Sequence, residues 1–169
     1  MIIIGLGANL PSPAGPPERT LRAALAKLDS EGIRVISCSR FFASEPVPRS
    51  DQPLFVNAVA MLATHLTADA VLARLHAIEA AFGRTRRERN EARPLDLDLL
   101  DYNGERRAGA AGPLLPHPRL AERAFVLAPL AELAPEWRHP VSGRSAAELL
   151  ASLTAEDRAG VHPLPLDQG

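Results

Sequence analysis

The segment Arg93-Pro94-Leu95-Asp96-Leu97-Asp98-Leu99-Leu100 concentrates more chemistry than any other stretch of this chain. In an extended strand alternate side chains share a face, so Leu95, Leu97 and Leu99 turn into a core while Asp96 and Asp98 turn out of it together. Their Cα atoms then lie about 6.6 Å apart. Two carboxylates at that spacing repel by about 2.5 kcal/mol at an effective dielectric of 20. A cation between them relieves this, and Mg²⁺ suits one or two carboxylates completed by water and phosphate oxygens. A solvated sheet face has the same alternation, so the aspartates alone leave both readings open. The preceding stretch, 84–93, favours the first, because Arg84, Arg86, Arg87, Arg89 and Arg93 bring guanidinium groups next to the aspartates. Both kinds of group neutralise phosphates, which makes phosphoryl chemistry the leading expectation. A self-repelling surface loop also accommodates the arginines. An RNA-binding loop does too, although two outward aspartates would repel a nucleic-acid backbone.

Three smaller groups accompany this segment. Phe55 and Asn57 alternate on another predicted strand beside a Pro-rich stretch, where a ring and an amide can stack on and hydrogen-bond a flat heterocycle. A core phenylalanine and a capping amide would look the same. His76 and Glu79 sit three apart on a predicted helix, flanking its apolar stripe. His117 is held between Pro116 and Pro118, and Arg123-Ala124-Phe125 again sets a cation beside an aromatic.

The elements that must position these groups follow from periodicity and breakers. Ile2-Ile3-Ile4-Gly5-Leu6-Gly7 predicts a buried first strand. Four prolines make 10–17 a loop, and Leu21, Ala24, Leu25 and Leu28 predict an amphipathic helix over 18–30. Residues 33–43 and 54–64 are rich in β-branched and aromatic side chains and predict two strands, joined by a Pro-braced loop over 44–53. Thr67 caps a second helix whose stripe is Val71, Leu75, Ile78 and Phe82, with Gly83 as its stop. A second long loop, 84–93, leads into the last major strand, 95–102. The order is βαββαβ, the ferredoxin-like α+β arrangement with two helices on one face of an antiparallel sheet. Short helices are expected over 120–133 and 146–153, and 154–169 reads as a loosely held tail.

Composition narrows the function. At 169 residues the chain is one domain, 1–169. Of its 19 lysines and arginines only Lys27 is a lysine, and it stands in an Ala/Leu-rich helical run. No P-loop lysine or lysine nucleophile is therefore available, and positive charge for function must come from arginine. The single Cys38 excludes a disulfide framework or a multi-cysteine metal site and points to a reducing cytoplasm. Met1 leads into Ile2-Ile3-Ile4 without a basic region, so no signal peptide is expected. No stretch approaches the roughly 18 apolar residues of a membrane span. A net charge of −1 argues against nucleic acid as a partner.

In order along the chain stand Leu-Gly-Ala-Asn-Leu (6–10), Asp51-Gln52-Pro53-Leu54-Phe55-Val56-Asn57-Ala58, Ile78-Glu79 and Gly83-Arg84-Thr85-Arg86. Arg93-Pro94-Leu95-Asp96-Leu97-Asp98, Pro116-His117-Pro118-Arg119 and Glu122-Arg123-Ala124-Phe125 follow. Together these blocks resemble the 6-hydroxymethyl-7,8-dihydropterin pyrophosphokinases of folate synthesis. The resemblance implies a monomer that transfers diphosphate from ATP to the pterin hydroxymethyl group and releases AMP. It implies two Mg²⁺ ions on Asp96 and Asp98, with Arg84 and Arg93 acting in catalysis. The implied pterin pocket is Ser44, Pro46, Val47, Phe55, Asn57 and Phe125. ATP would be met by His76, Glu79, Arg84, Arg86, Arg93, Leu99, His117 and Arg123. The chain departs from some members at three places. Arg89-Asn90-Glu91-Ala92-Arg93 stands for Arg-Trp-Gly-Pro-Arg, His76 for a glutamine, and Ser44-Glu45-Pro46 for Thr-Pro-Pro. A non-catalytic binding module and a metal-dependent phosphohydrolase are the rival readings of the same residues.

Overall fold

Strand β1 (Ile2–Ala8) is covered on both faces, which is why it opens as an unbroken isoleucine run rather than an alternating one. The computed structural model describes residues 1–83, 92–109 and 111–165. After β1 come α1 (Pro17–Ser30), β2 (Arg34–Cys38), β3 (Phe42–Ser44), β4 (Phe55–Ala63), α2 (Ala68–Ala81) and β5 (Asp96–Tyr102). A single 3₁₀ turn (Leu120–Glu122), α3 (Ala124–Leu133), α4 (Ala146–Ala151), α5 (Ala155–Ala159) and β6 (Val161–Pro163) complete the described chain. All strand pairs are antiparallel, in the order β5-β1-β4-β3-β6, with β2 also on β4. Among the described residues no helix is long and apolar enough to cross a membrane.

Each face of the sheet has its own core. Ile4, Leu6, Leu97 and Leu99 meet Leu21 and Leu28 of α1 and Leu75 and Ile78 of α2 on one side. On the other, Ile3, Val59 and Leu100 meet Leu127 and Leu130 of α3 together with Trp137. The expected pair of helices on one face is thus joined by further helices that seal the opposite face.

Four local departures from the sequence expectation matter. The strand expected over 33–43 is broken by a bulge: Cys38 pairs with Ala60 and Phe42 with Asn57, so Ser39, Arg40 and Phe41 oppose Ala58 and Val59. The Ser39 hydroxyl closes the gap, accepting from the Val59 amide at 3.0 Å and donating to the Arg40 carbonyl at 2.8 Å. A second bulge lies at Leu100, because Ile4 faces Leu99 and Ile3 faces Asp101. It turns Asp101 to the α3 side, where it accepts from Trp137 Nε1 at 2.9 Å. The helix expected over 120–133 is interrupted at Arg123, whose backbone is extended (φ −112°, ψ 105°). The tail expected to hang loose from 154 instead forms α5 and β6, and β6 pairs with β3.

Burial pushes the Cys38 thiol up to about 11, opposed only by Arg22. Iodoacetamide at pH 8 is therefore expected to alkylate Cys38 roughly 100-fold more slowly than an unperturbed thiol, since about 100-fold less thiolate is present. The rate should keep climbing up to pH 11. A mass-spectrometric time course checks this, and alkylation at the rate of a cysteine peptide would contradict it.

Candidate active site

On the α3 side of the sheet, β1 presents Ile3, Gly5 and Gly7 in succession. Ile3 is packed in the core, whereas the two glycines expose backbone and open a groove between the neighbouring strands. Gly5 lies between Asp98 and Val59, and Gly7 between Asp96 and Asn57. A methyl group on Gly7 would come within 3.0 Å of Asn57 Oδ1, so the absence of a side chain there is what lets Asn57 lie across the floor. The resulting cleft has a volume of about 360 Å³, within the range of small-molecule sites.

One wall is charged. Asp96 and Asp98 face the cleft from β5, while Leu97 and Leu99 are buried behind them, as the alternation predicts. Arg93 Nη1 lies 3.2 Å from Asp96 Oδ2, and Arg123 Nη1 lies 3.5 Å from Asp98 Oδ2. The side chains are less than a third exposed, so each pair is screened less than a surface ion pair. Burial pulls the Arg123 pKa down, and the neighbouring Asp98 and Asp96 push it back up. The break in the helix at Arg123 puts this residue at the start of α3 beside β5. Its guanidinium also lies 5.4 Å over the Phe125 ring.

His117 stands at the end of this wall. Its amide donates to the Leu100 carbonyl at 2.9 Å, hanging the Pro116-His117-Pro118 segment on the outer edge of β5. Burial, helped by Arg123 and Arg119 against the pull of Asp96, pushes the imidazole down to about 4, so it is neutral at pH 7. Its Nδ1 accepts the Arg119 amide at 3.2 Å, which leaves the ring proton on Nε2. That proton faces Asp98 Oδ1 at 3.9 Å, a contact between a dipole and a carboxylate rather than an ion pair.

The other wall is largely uncharged, with Glu45 as its acidic member. Asn57 Nδ2 donates to Ser44 Oγ at 2.5 Å, joining β4 to β3. Phe55, Pro46, Val47 and Phe125 complete it. A slot with aromatic rings at its sides and a fixed amide at its base suits a flat, hydrogen-bonding ring.

The structure thus brings Ser44, Pro46, Val47, Phe55, Asn57, Arg93, Asp96, Asp98, Arg123 and Phe125 to one cleft with His117 at its margin. Three further expected residues that the structure describes lie outside the cleft lining. Glu79, which the sequence allows as a surface residue, is buried, and its Oε2 accepts the Leu97 amide at 3.0 Å, bracing the acidic strand from outside. His76 is exposed one turn earlier on α2, and the Leu99 side chain belongs to the core on the far face. Arg84 and Arg86, with Arg87 and Arg89, lie outside the described residues.

One residue of the site escapes sequence reasoning. Asn9 is buried immediately after β1, and its amide reaches two loops. Nδ2 donates to Gln52 Oε1 at 3.1 Å and to the Pro53 carbonyl at 3.2 Å, while Oδ1 accepts the Arg93 amide at 2.8 Å. The Asn9 amide in turn donates to the Arg93 carbonyl at 3.1 Å. A side-chain amide at the buried end of an apolar strand was the available signal. Asn9→Ala leaves three hydrogen bonds unmade, and a loss of about 3 kcal/mol is expected, read from urea unfolding monitored by Trp137 fluorescence. A loss under about 0.5 kcal/mol would show that the network holds nothing in place.

A charged wall facing a ring-sized slot is the arrangement that a phosphoryl-transfer enzyme without a P-loop requires. A family model described as 7,8-dihydro-6-hydroxymethylpterin-pyrophosphokinase (HPPK) matches residues 3–135, and the chain belongs to that family. It is 40% identical over 149 residues to a 2-amino-4-hydroxy-6-hydroxymethyldihydropteridine pyrophosphokinase of Synechocystis sp., covering 88% of this chain and 73% of the relative. A protein of the same name from Pseudomonas aeruginosa is 39% identical over 165 residues, covering 97% of this chain and 96% of the relative. A solved HPPK-DHPS structure in complex with substrates shares the fold, with TM-score 0.65 and 11% identity over 89% of this chain and 42% of that one.

Proposed function

We propose that this chain transfers a diphosphate group from ATP to the hydroxymethyl oxygen of 6-hydroxymethyl-7,8-dihydropterin, releasing AMP, as a cytoplasmic monomer in folate synthesis. The observation that carries this is the meeting of the two walls. The paired Asp96 and Asp98 with their arginines adjoin the ring slot of Phe55, Asn57 and Phe125, in a chain whose relatives are named pyrophosphokinases. Our reading of the topology follows from the sheet. The order β5-β1-β4-β2 with α1 and α2 on one face fits the ferredoxin-like pattern, extended by β3, β6 and the C-terminal helices.

The chemistry follows from the groups present. The pterin lies between Phe55 and Phe125 with its edge on Asn57, against Ser44, Pro46 and Val47. The triphosphate lies along the charged wall. Asp96 and Asp98 are hard oxygen donors on one face, each already beside a cation, and they fit two Mg²⁺ ions completed by water and phosphate oxygens. Among the described residues no group of three or more His, Cys, Asp or Glu side chains forms a closed metal cage. Bound Mg²⁺ supplies charge neutralisation on the phosphates and polarises their oxygens. As the reaction begins, the Arg93 and Arg123 guanidiniums turn from their carboxylate partners to phosphate oxygens of the transferring and departing groups. The pterin hydroxyl oxygen bonds to the β-phosphorus and gives up its proton to water, as the bond from that phosphorus to the α–β bridging oxygen breaks and AMP leaves with the electron pair. Both arginines then stabilise the charge that accumulates on the transferring group and on departing AMP. His117, neutral with its proton on Nε2, donates a hydrogen bond without adding charge. Glu79 serves the nucleotide side by fixing Leu97 between the aspartates, and Leu99 would meet nucleotide through its backbone. His76 would add a contact from α2.

The deciding experiment incubates the protein with MgATP and the pterin and separates the nucleotides. AMP formed only when pterin is present is the expected result. ADP, or nucleotide turnover without pterin, would replace this reading with a kinase or phosphohydrolase of another kind.

A further inference from the structure

The pterin wall has a support that the reaction itself does not use. Leu164 N–H donates to the Phe41 carbonyl at 2.8 Å, and Glu45 N–H donates to the Gly160 carbonyl at 3.2 Å. Between them β6 pairs with β3, with His162 opposite Ala43. Hydrogen-bonded partners recur every second residue in an antiparallel pair, so positions 41 and 164, 43 and 162, and 45 and 160 form one continuous series. The series passes the end of β3 and takes hold of Glu45, the residue before Pro46 and Val47. Ser44 is tied from the other side by Asn57.

The hollows around this wall make the tie matter. A second hollow of about 260 Å³ is lined by Ser44, Pro46 and Val47, by Glu156, Gly160 and Val161, and by Arg123 and Phe125, which it shares with the main cleft. With a hollow on either hand of Val47, the segment takes much of its position from its backbone ties. The side-chain link is weaker: Arg49 Nε lies 3.1 Å from Glu45 Oε2 and Arg49 Nη2 lies 3.5 Å from Glu156 Oε1, but all three side chains are largely exposed.

We infer that the C-terminal segment, through β6, is a positioning element for the pterin wall and sets the KM for pterin without touching the reacting groups. This rests on the proposed pterin site. His162→Pro in the full chain removes the central N–H of the series. His162 is exposed and belongs to neither core. Its expected effect is a pterin KM raised about tenfold, with kcat and the ATP KM held within about twofold. Arg49→Ala, which removes only exposed ion pairs, is expected to leave all three constants within about twofold.

Hydrogen exchange on the unmodified protein gives a second readout that does not depend on the variant folding. Saturating pterin is expected to slow exchange at the Ala43, Glu45 and His162 amides as well as in β4, and MgATP alone is not. A folded His162→Pro protein with an unchanged pterin KM, or with pterin and ATP KM raised alike, would overturn the inference. Protection of β4 without protection at positions 43, 45 and 162 would overturn it equally. Failure of pterin to protect β4 at all would remove the pterin site itself, and with it the premise.

Discussion

Asp98→Asn is expected to lower kcat for AMP formation about a thousandfold. The substitution keeps the shape of the side chain and removes only its charge, so the cleft should survive. What is lost is the carboxylate at the convergence of the charged wall, 3.5 Å from Arg123 Nη1 and 3.9 Å from His117 Nε2. On the proposed reading the site loses a hard oxygen ligand for Mg²⁺, and Arg123, released from Asp98, would bind the triphosphate in its ground state. ATP affinity should therefore fall much less than turnover. Pterin affinity should hardly change, because Asn57 and the two phenylalanines lie on the other wall. Initial rates at saturating MgATP and pterin, beside calorimetric titration of each substrate, separate these effects. A variant that keeps more than about a tenth of the wild-type kcat would remove Asp98 from the metal-binding role.

Arg93→Ala is expected to lower kcat roughly 100-fold to 1000-fold while weakening ATP binding no more than about fivefold. The structure makes this a clean experiment. Both backbone groups of Arg93 are held by Asn9, its amide through Asn9 Oδ1 at 2.8 Å and its carbonyl through the Asn9 amide at 3.1 Å. Removing the side chain therefore leaves the path of the chain into β5 intact. The guanidinium 3.2 Å from Asp96 is the only group withdrawn. An interaction gained mainly as charge shifts onto the departing AMP lowers kcat with little effect on binding. Comparable losses in ATP affinity and in kcat would instead assign Arg93 to ground-state binding.

The charged wall was legible because alternation is a local property. Leu95, Leu97 and Leu99 against Asp96 and Asp98 declare their two faces without knowledge of any partner strand, and the structure keeps them there. The helix stripes of α1 and α2 were readable for the same reason. What escaped depends on residues far away in sequence. The extra residue at Leu100 exists only relative to β1, so no period in β5 could announce that Asp101 turns toward Trp137. Asn9 gathers partners 43, 44 and 84 residues along the chain, and each contact looks unremarkable in its own neighbourhood. Glu79 stands at the border of an apolar stripe, where composition permits a surface residue. The approach of the Leu97 amide accompanies its burial and is invisible in the local sequence. Val161–Pro163 is too short to show a strand period and contains a proline, so its place in the sheet becomes visible only beside β3.

The two margins of the sheet carry a last consequence, which concerns other copies of the chain rather than substrates. β5 and β6 end the longest run of paired strands, with β2 a further edge on β4, and at such edges unpaired backbone groups could recruit a neighbouring chain into a shared sheet. β5 and β6 are each blunted by a local feature. On β5, Glu79 occupies the Leu97 amide and the His117 amide occupies the Leu100 carbonyl, so a foreign strand finds its first bonds taken. β6 is three residues long and ends in Pro163, which has no N–H to offer. Substitutions that loosen the brace on the acidic strand therefore also uncover a surface for aggregation. Reduced catalysis and reduced solubility in concentrated solution should then arise together from the same broken bond.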